Sequence, residues 1–166
     1  MTGRGGGIWR TIAYGLLALP LALTPVRTRL RVPRRLLHEP VSAQGVSALR
    51  CVSHSVLSAG VGIVAWFLMM LTMLGLVRGL AYPLVAASDY ETSWGGPTLA
   101  GAWLVHAAVS LVIAPVFLGI VALLGRFQLR LTRTVLGRAG SWWLIPVAVG
   151  FTAAGVLFFV AWVRQI

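Results

Sequence analysis

Three long apolar stretches without a charged residue most constrain what this chain can fold into. They cover residues 51–77, 92–125 and 139–163, and none contains an arginine, lysine, aspartate or glutamate. A bilayer core about 30 Å thick is crossed by about 20 residues of helix, so each stretch is long enough to span it. Because backbone polar groups in lipid must be satisfied internally, spans of this kind form helices. We therefore predict an all-α, multi-pass transmembrane helical bundle.

The composition excludes the common soluble classes. Of the 166 residues, 58% are hydrophobic and only 10% are charged. Soluble domains average about 45–50% apolar and about 25% charged residues. A soluble enzyme, a disordered tail and a secreted disulfide scaffold are therefore excluded. Cys51 is the only cysteine, so the chain has no intramolecular disulfide and no cysteine metal cluster.

The distribution of arginine predicts the orientation in the membrane. All 14 basic residues are arginine, and they are concentrated in the segments 27–50 and 125–138, whereas the loop 79–97 holds two acids and no arginine. By the positive-inside rule, the two basic segments face the cytoplasm and the loop is extracytoplasmic. The C-terminus is then extracytoplasmic. The absence of lysine is typical of a GC-rich bacterial genome, so we expect the bacterial cytoplasmic membrane.

The net charge of +11 is also explained by the membrane topology. Arginines that flank membrane spans account for it, and we predict no nucleic-acid partner. The lipid bilayer is the expected surrounding of the chain.

The predicted membrane segments lie at about 11–26, 53–78, 98–124 and 141–163. The glycine-rich residues 1–10 are expected to be a flexible tail, and residues 11–166 a single transmembrane domain. The first segment is short and contains Pro20. Two alternatives therefore stay open for it, a short span or a re-entrant helix, and the side of the N-terminus depends on the choice.

The outer loop and the helix after it contain the candidate sensing site. Acids, aromatic residues and a Gly-Gly-Pro turn lie together there, ahead of a helix expected to start near Thr98. A histidine inside a membrane span is a functional candidate. The alternative is a loop anchored at the interface, with a neutral histidine bonded to a neighbouring helix. The candidate residues are Asp89, Tyr90, Glu91, Trp94, Gly95, Gly96, Pro97 and His106.

Neither an enzyme nor a cofactor protein is predicted. The three acids all fall in loops, and the histidines are scattered along the chain. His54 and His106 are expected near opposite membrane faces, so they do not hold one haem between them. No nucleophile stands with a base, and no metal cluster is apparent. We therefore expect no catalytic residue, no metal and no cofactor.

The second basic segment has helical spacing. Its arginines share one face and its apolar residues share another. Two interpretations stay open: a basic amphipathic helix that lies on anionic lipid or docks on a partner, and a polar linker whose arginines only set the orientation. The candidate coupling residues are Arg126, Arg130 and Arg133.

The residues of the outer loop and the following helix also carry a family resemblance. They are Tyr82-Pro83, Tyr90, the run Trp-Gly-Gly-Pro-Thr-Leu-Ala-Gly-Ala-Trp at 94–103, Val105-His106-Ala107 and Leu136-Gly137. This set resembles the sensor domain of actinobacterial two-component histidine kinases. The resemblance covers residues 82–137, which is 56 of 166 residues.

The resemblance implies a fold and a role in signal transduction. In the family, paired helices flank a basic cytoplasmic loop, and the Trp-Gly-Gly-Pro loop is extracytoplasmic. That orientation agrees with the arginine distribution. The family's last helix continues into a cytoplasmic dimerisation helix and a kinase, which implies that Arg126–Arg138 stands where the signal leaves the membrane.

The chain departs from the family in three ways. The first hairpin is reduced to one short segment, and a further span at 142–162 replaces the cytoplasmic continuation. The family's ATP-binding part requires an asparagine motif, and this sequence contains no asparagine. The chain is therefore not expected to phosphorylate anything itself.

Two functions from different classes are consistent with these observations. The first is a non-catalytic membrane sensor or regulatory module that couples the outer loop to a signalling or transport partner through helix contacts. The second is a structural or accessory subunit of a larger membrane complex, such as a transporter. The expected partner is a membrane protein, either a signalling protein or a transporter subunit, and a second copy of the chain is a further candidate.

Overall fold

A computed structural model describes residues 4–43, 45–85, 88, 90–137 and 143–165. Within these ranges the chain forms helices and no strand. The α-helices are α1 (Arg4–Ala22), α2 (Val26–Leu36), α3 (Ala48–Leu80), α4 (Tyr82–Val85), α5 (Leu99–Val135) and α6 (Leu144–Val163), and one 3-10 turn covers Tyr90–Thr92.

Three of these helices are long and apolar enough to cross a membrane, namely α3, α5 and the part of α6 at Ile145–Val163. The apolar part of α1, Gly7–Ala22, is shorter. The predicted all-α, multi-pass fold with three spans and one short N-terminal segment is thereby confirmed.

The helix α5 is longer than the predicted span at 98–124. It has 37 residues, which at about 1.5 Å per residue give a length of about 55 Å, well beyond a bilayer core. No helix-breaking residue follows Gly125 before Val135, and Leu131 and Val135 are buried. The second basic segment is therefore helical as far as Val135, and this part is the continuation of the span and not a separate element.

The N-terminal residues differ from the expected flexible tail. The helix α1 begins at Arg4 and includes the three glycines at positions 5–7. Thr11 donates a hydrogen bond from Oγ1 to the Gly7 carbonyl at 2.7 Å, and Ile12 and Tyr14 are buried in the next turn. Packing of this turn offsets the low helix propensity of glycine, which costs about 1 kcal/mol per residue.

The first basic segment also contains a helix, α2, for which no secondary structure was predicted from the sequence. Its amphipathic character comes from arginines that recur on one exposed side, Arg27, Arg31, Arg34 and Arg35. The opposite side carries the two buried residues of the helix, Arg29 and Pro33. One arginine of this segment is thus inside the protein.

The described residues divide into two compact units. The first comprises Met1–Trp66 with Val121–Ile166, and the second comprises Phe67–Ile120. The first unit has an apolar core of Leu57, Leu131, Val135 and Ala148, against which Phe127 packs. The core of the first unit thus joins α3, α5 and α6.

Close helix contacts in the first unit depend on glycine. A Cβ atom at Gly62 would overlap the backbone of Leu19, and one at Gly125 would overlap the backbone of Thr11. Small residues at helix crossings allow backbones to approach in membrane proteins. The helix α1 therefore lies directly against both α3 and α5.

Both ends of α1 contact the first basic segment. Near its N-terminus, Arg10 donates from Nη1 to the Nδ1 atom of His38 at 3.1 Å. At its C-terminus, the Ala22 carbonyl accepts a hydrogen bond from Nη2 of Arg29 at 2.8 Å. The second turn of α1 and its last residue are thus both bonded to this segment.

Candidate functional site

The loop between α4 and α5, in the second unit, is tied to the helices on both sides of it. Thr98 caps α5, because its Oγ1 accepts a hydrogen bond from the Gly101 backbone N–H at 3.1 Å. Tyr82 donates from its hydroxyl to Oγ of Ser93 at 2.6 Å. Trp103 donates from Nε1 to the Leu80 carbonyl at 3.0 Å, which links the first turns of α5 to the end of α3. The described residues of the loop are therefore held by specific hydrogen bonds to both neighbouring helices.

The glycines of the Trp-Gly-Gly-Pro run are required by this geometry. Gly95 has a φ of +92°, and a Cβ there would lie 2.5 Å from the Gly101 carbonyl oxygen. A Cβ at Gly96 would lie 2.7 Å from the Glu91 carbonyl oxygen. Only glycine avoids the strain of a positive φ and both overlaps. The glycines thus allow the close backbone approaches that shape the loop.

A cleft of about 270 Å³ lies between α3 and α5 in the second unit, at the end where the loop crosses. Two of the predicted site residues, Trp94 and His106, line it. Trp94 is 80% exposed, so its ring is open to a partner or ligand. The volume lies just below the range of about 300–1,000 Å³ that is usual for small-molecule sites. The cleft fits a small molecule or one part of a larger one.

His106 is held in place from two sides. Its Nδ1–H donates to the Ala102 carbonyl at 2.8 Å, and its ring stacks on Tyr82 with centroids 4.2 Å apart. With Nδ1 carrying this proton, Nε2 of the neutral ring is an acceptor. Among the described residues, Nε2 has no hydrogen-bond partner, so it can accept a hydrogen bond from a ligand.

The cleft has mainly apolar walls with a few polar groups that sequence reasoning did not single out. They are Thr72, Arg78 and Ser110. The hydroxyl of Thr72 bonds the Leu68 carbonyl at 2.7 Å, and that of Ser110 lies 2.8 Å from the Gly75 carbonyl. Arg78 has no hydrogen bond or ion pair within the described residues, which leaves a guanidinium open to an anion. Its only sequence signal is a single arginine at the end of an apolar span.

The other predicted loop residues lie around the cleft without lining it. Tyr90 is half-buried, and Glu91 is exposed in the same 3-10 turn. Gly95, Gly96 and Pro97 form the turn before α5. Asp89 lies outside the described residues.

A second constellation lies inside the first unit. Six polar side chains from α1, α2, α3 and α5 are more than nine-tenths buried and form hydrogen bonds with one another. We call them the buried polar cluster: Tyr14, Arg29, His54, Ser58, Gln128 and Thr132. Buried polar groups require such partners, because each unpaired group costs free energy. The cluster therefore holds four helices in one arrangement.

The hydrogen bonds of the buried polar cluster assign the proton on His54. The Thr132 hydroxyl donates to the Gln128 carbonyl at 2.9 Å, so its oxygen accepts from Nε2 of His54 at 3.1 Å and from Tyr14 at 3.2 Å. The Nδ1 atom of His54 then accepts, and Arg29 lies 3.4 Å from it. His54 is thus a neutral imidazole with both nitrogens bonded.

Removal of the Thr132 hydroxyl is expected to destabilise the first unit. In Thr132→Val the shape is kept, but the Tyr14 hydroxyl and Nε2 of His54 lose their shared acceptor, which costs about 2 kcal/mol. The measurement is the free energy of unfolding by SDS in mixed micelles. Thr134→Val is the matched control, since Thr134 is also buried but its Oγ1 has no partner. A loss of equal size in both variants contradicts the prediction.

The predicted coupling residues are distributed over two environments. Arg126 and Arg130 are exposed, whereas Arg133 forms an ion pair with Glu39. Both groups of that pair are at least one-third exposed, so it contributes little stability. The apolar face of the same turns packs inside the first unit. The exposed arginine side is therefore the part that a partner or lipid can reach.

These features define the class of the molecule as a multi-pass helical membrane protein with a cleft beside the loop that precedes α5. Within the described residues, no group of three or more histidine, cysteine or acidic side chains is placed to hold a metal ion. No protein-family model, no curated protein and no solved structure matches the chain.

Proposed function

We propose that the protein is a non-catalytic sensor or regulatory module of the bacterial cytoplasmic membrane. The observation that carries this proposal is the cleft of about 270 Å³ in the second unit, which is lined by Trp94 and His106. These two residues come from the sequence run that resembles the sensor domain of actinobacterial histidine kinases. A shaped cleft with a few convergent polar groups is typical of a ligand site.

The chemistry of the cleft favours a small amphipathic ligand. Its walls are mostly apolar, while Arg78 supplies a positive charge and His106 supplies an acceptor. Trp94 adds an exposed aromatic face for stacking. Such a site takes a molecule with an apolar or aromatic body and an anionic or hydroxyl group. The acidic residue Glu91 does not line the cleft, so a cationic ligand is disfavoured.

In this proposal the loop is extracytoplasmic and both basic segments are cytoplasmic, as the arginine distribution predicts. The contacts of α1 support the re-entrant alternative for the first membrane segment. Arg10 at one end and Ala22 at the other are both bonded to the first basic segment. The N-terminus then lies in the cytoplasm, and the C-terminus is extracytoplasmic.

The signal leaves through the continuous helix α5. One end of α5 carries His106 at the cleft, and the other carries the exposed arginines Arg126 and Arg130. A single helix that joins a ligand site to a basic cytoplasmic surface is a direct physical link. A signalling or transport protein with an acidic surface is the partner that this end fits.

The proposal is tested by gene replacement in the cells that carry the gene naturally. Trp94→Ala and His106→Ala are expected to reproduce the transcriptional response of a gene deletion under envelope stress, because both remove part of the cleft. The matched control is Leu104→Ala, since Leu104 lies on the same helix and is 65% exposed without lining the cleft. Immunoblots of the membrane fraction establish equal amounts of each variant.

The outcomes separate clearly. A wild-type response in both cleft variants, with a clear deletion phenotype, contradicts a sensing site at this cleft. An altered response in the Leu104 control indicates a general packing defect and also counts against the proposal.

An accessory subunit is the second candidate, and the exposure of α6 favours it. In its most apolar 18-residue stretch only 6% is buried inside the protein, whereas the corresponding share is 28% for α3 and 22% for α5. Its exposed side includes Val149 and Leu157. A helix with so little internal packing is available to a neighbouring subunit as well as to lipid.

Substitution of the exposed side of α6 discriminates the two candidates. Val149→Trp with Leu157→Trp leaves the internal contacts of Thr152 and Gly155 in place. Crosslinking in native membranes, followed by mass spectrometry, then measures assembly. Loss of a stoichiometric complex favours the subunit function, whereas retained assembly together with lost response in the cleft variants favours the sensor.

A further inference from the structure

A second cleft lies in the first unit and shares no residue with the proposed ligand site. Its volume is about 620 Å³, and residues of α1, of the segment after α2 and of α5 line it. Two of the lining side chains are arginines, Arg10 and Arg126. This space is well within the range of about 300–1,000 Å³ found for small-molecule sites.

The cleft has excess positive charge. Arg10 donates one hydrogen bond, to the neutral acceptor Nδ1 of His38 at 3.1 Å. Arg126 has no hydrogen bond or ion pair to any residue that the structure describes. The one acidic side chain in the lining is Glu39, and its carboxylate is bonded to Arg133. Two guanidinium groups are thus open to an anion, while the nearby carboxylate is neutralised.

The walls of the cleft select an anion with an apolar part. Ile8, Leu37 and Leu129 line it beside the arginines. Free inorganic phosphate gains nothing from contact with such side chains, because the hydrophobic contribution is proportional to the apolar area that leaves water. A molecule with a phosphate group and attached hydrocarbon uses both parts of the cleft.

The position along the chain places the cleft at the level of lipid headgroups. Arg126 is the first charged residue after the apolar stretch 92–125, and Arg10 immediately precedes the apolar turns of α1. Both guanidinium groups therefore lie where a hydrocarbon region meets water. Phospholipid phosphates lie at this boundary, and basic pockets between membrane helices are suited to them.

We propose that this cleft binds the phosphate group of an anionic phospholipid, with Arg10 and Arg126 as the two ligating side chains. The planar guanidinium groups form paired charge-assisted hydrogen bonds with phosphate oxygens. The apolar side chains contact the glycerol and the first carbons of the acyl chains. The site shares no lining residue with the cleft in the second unit, so ligand binding at that cleft and lipid binding here are tested separately.

The test is native mass spectrometry of the full chain in an uncharged detergent, titrated with phosphatidylglycerol. Phosphatidylcholine with the same acyl chains is the comparison lipid. The wild type is expected to retain one phosphatidylglycerol per chain in preference to phosphatidylcholine. Arg10→Gln and Arg126→Gln are each expected to raise the Kd for phosphatidylglycerol about tenfold, because each removes a charged hydrogen-bond donor.

Arg130→Gln is the matched control, since Arg130 is exposed one turn further along α5 and does not line the cleft. Its Kd is expected to change less than about twofold, in line with a charge that only contributes to the general potential. An equal effect of Arg126→Gln and Arg130→Gln would falsify the proposal, since it indicates diffuse attraction. Equal binding of the two lipids also overturns it.

The test includes two further measurements, a competition with inorganic phosphate and a variant that adds a carboxylate to the cleft. Displacement of the lipid by inorganic phosphate as effectively as by short-chain phosphatidylglycerol assigns the cleft to soluble phosphate and overturns the lipid proposal. Where an arginine variant does not fold, Leu129→Glu places a carboxylate in the same cleft and is expected to abolish the preference for the anionic lipid. Retention of that preference counts against the site.

Discussion

Arg29→Met is expected to lower the free energy of unfolding by about 3 kcal/mol, because the guanidinium of Arg29 satisfies backbone carbonyls that nothing else reaches. Its Nη2 donates to Ala22 and its Nε donates to Thr24, each at 2.8 Å. The Ala22 carbonyl belongs to the last turn of α1, where a helix leaves its last acceptors unsatisfied, and the Thr24 carbonyl lies two residues beyond that end. A positive charge there is also favourable to the helix dipole.

The same side chain connects α1 to α3. Nη1 of Arg29 donates to the Cys51 carbonyl at 3.2 Å and lies 3.4 Å from Nδ1 of His54. These two acceptors have other partners, since Ser55 also bonds the Cys51 carbonyl and Ser58 also contacts His54. The main loss in Arg29→Met is therefore at the end of α1. Methionine keeps the packing volume of the stem.

Burial of Arg29 disfavours the positive charge of its guanidinium. It lowers the pKa of the Arg29 guanidinium from its usual value, because removal from water disfavours the charged form. Arginine nevertheless stays protonated at neutral pH, since its ordinary pKa is so high. Removal of a buried charge recovers its desolvation cost, and this recovery keeps the expected loss near 3 kcal/mol and not higher.

The measurement is SDS unfolding in mixed micelles, followed by tryptophan fluorescence. Arg31→Met is the matched control, because Arg31 lies two residues further on the same helix and is exposed. It is expected to change the free energy of unfolding by less than about 0.5 kcal/mol. Arg29→Lys is expected to lower the free energy of unfolding by an intermediate amount. A single ammonium group cannot reach the carbonyls of both Ala22 and Thr24. Equal stability of the two methionine variants contradicts a capping role for Arg29.

The spans and the start of α5 follow from local sequence alone. A charge-free apolar stretch of 20 or more residues has few alternatives to a membrane helix, and the turn residues before Thr98 place the start of α5 within one residue of Leu99. Trp94 and His106 lie 12 residues apart across one turn, so the local sequence is enough to predict that they lie near one another. The cleft residue Arg78 comes from the preceding helix, and its only local signal is its place at the end of an apolar span.

The arginines of α2 have a helical spacing from which no helix was predicted. Arg27, Arg31 and Arg34 are spaced by four and three residues, which is the spacing that predicts a helix at Arg126–Arg133. Position alone does not reveal that Arg29 is buried, because the positive-inside rule treats every arginine of a segment alike.

The buried polar cluster could not be predicted from the local sequence. Tyr14 and Thr132 are separated by 118 residues, yet their hydroxyls are 3.2 Å apart. Nothing in the sequence pairs them, since each taken alone is an ordinary polar residue near the end of an apolar stretch. Contacts of this kind depend on how helices cross, and helix crossing is set by small residues such as Gly125.

Gly125→Ala is expected to reduce the free energy of unfolding by about 2–3 kcal/mol, in spite of the better helix propensity of alanine. A Cβ at Gly125 would overlap the carbonyl of Thr11, which is backbone and cannot move without displacing α1. Gly15 lies at the same crossing, where a Cβ would be 3.0 Å from the Val121 carbonyl oxygen. The added methyl group therefore separates α1 from α5 and draws the Tyr14 hydroxyl away from Thr132.

The matched control has the opposite expected sign. Gly119 lies on the same helix, and a Cβ there meets nothing within 4 Å. Gly119→Ala is therefore expected to stabilise the protein by about 0.5–1 kcal/mol, through helix propensity alone. SDS unfolding of both variants measures the two values under one set of conditions. If Gly125→Ala is as stable as Gly119→Ala, α1 does not cross α5 at backbone contact, and the link from Tyr14 to Thr132 loses its structural basis.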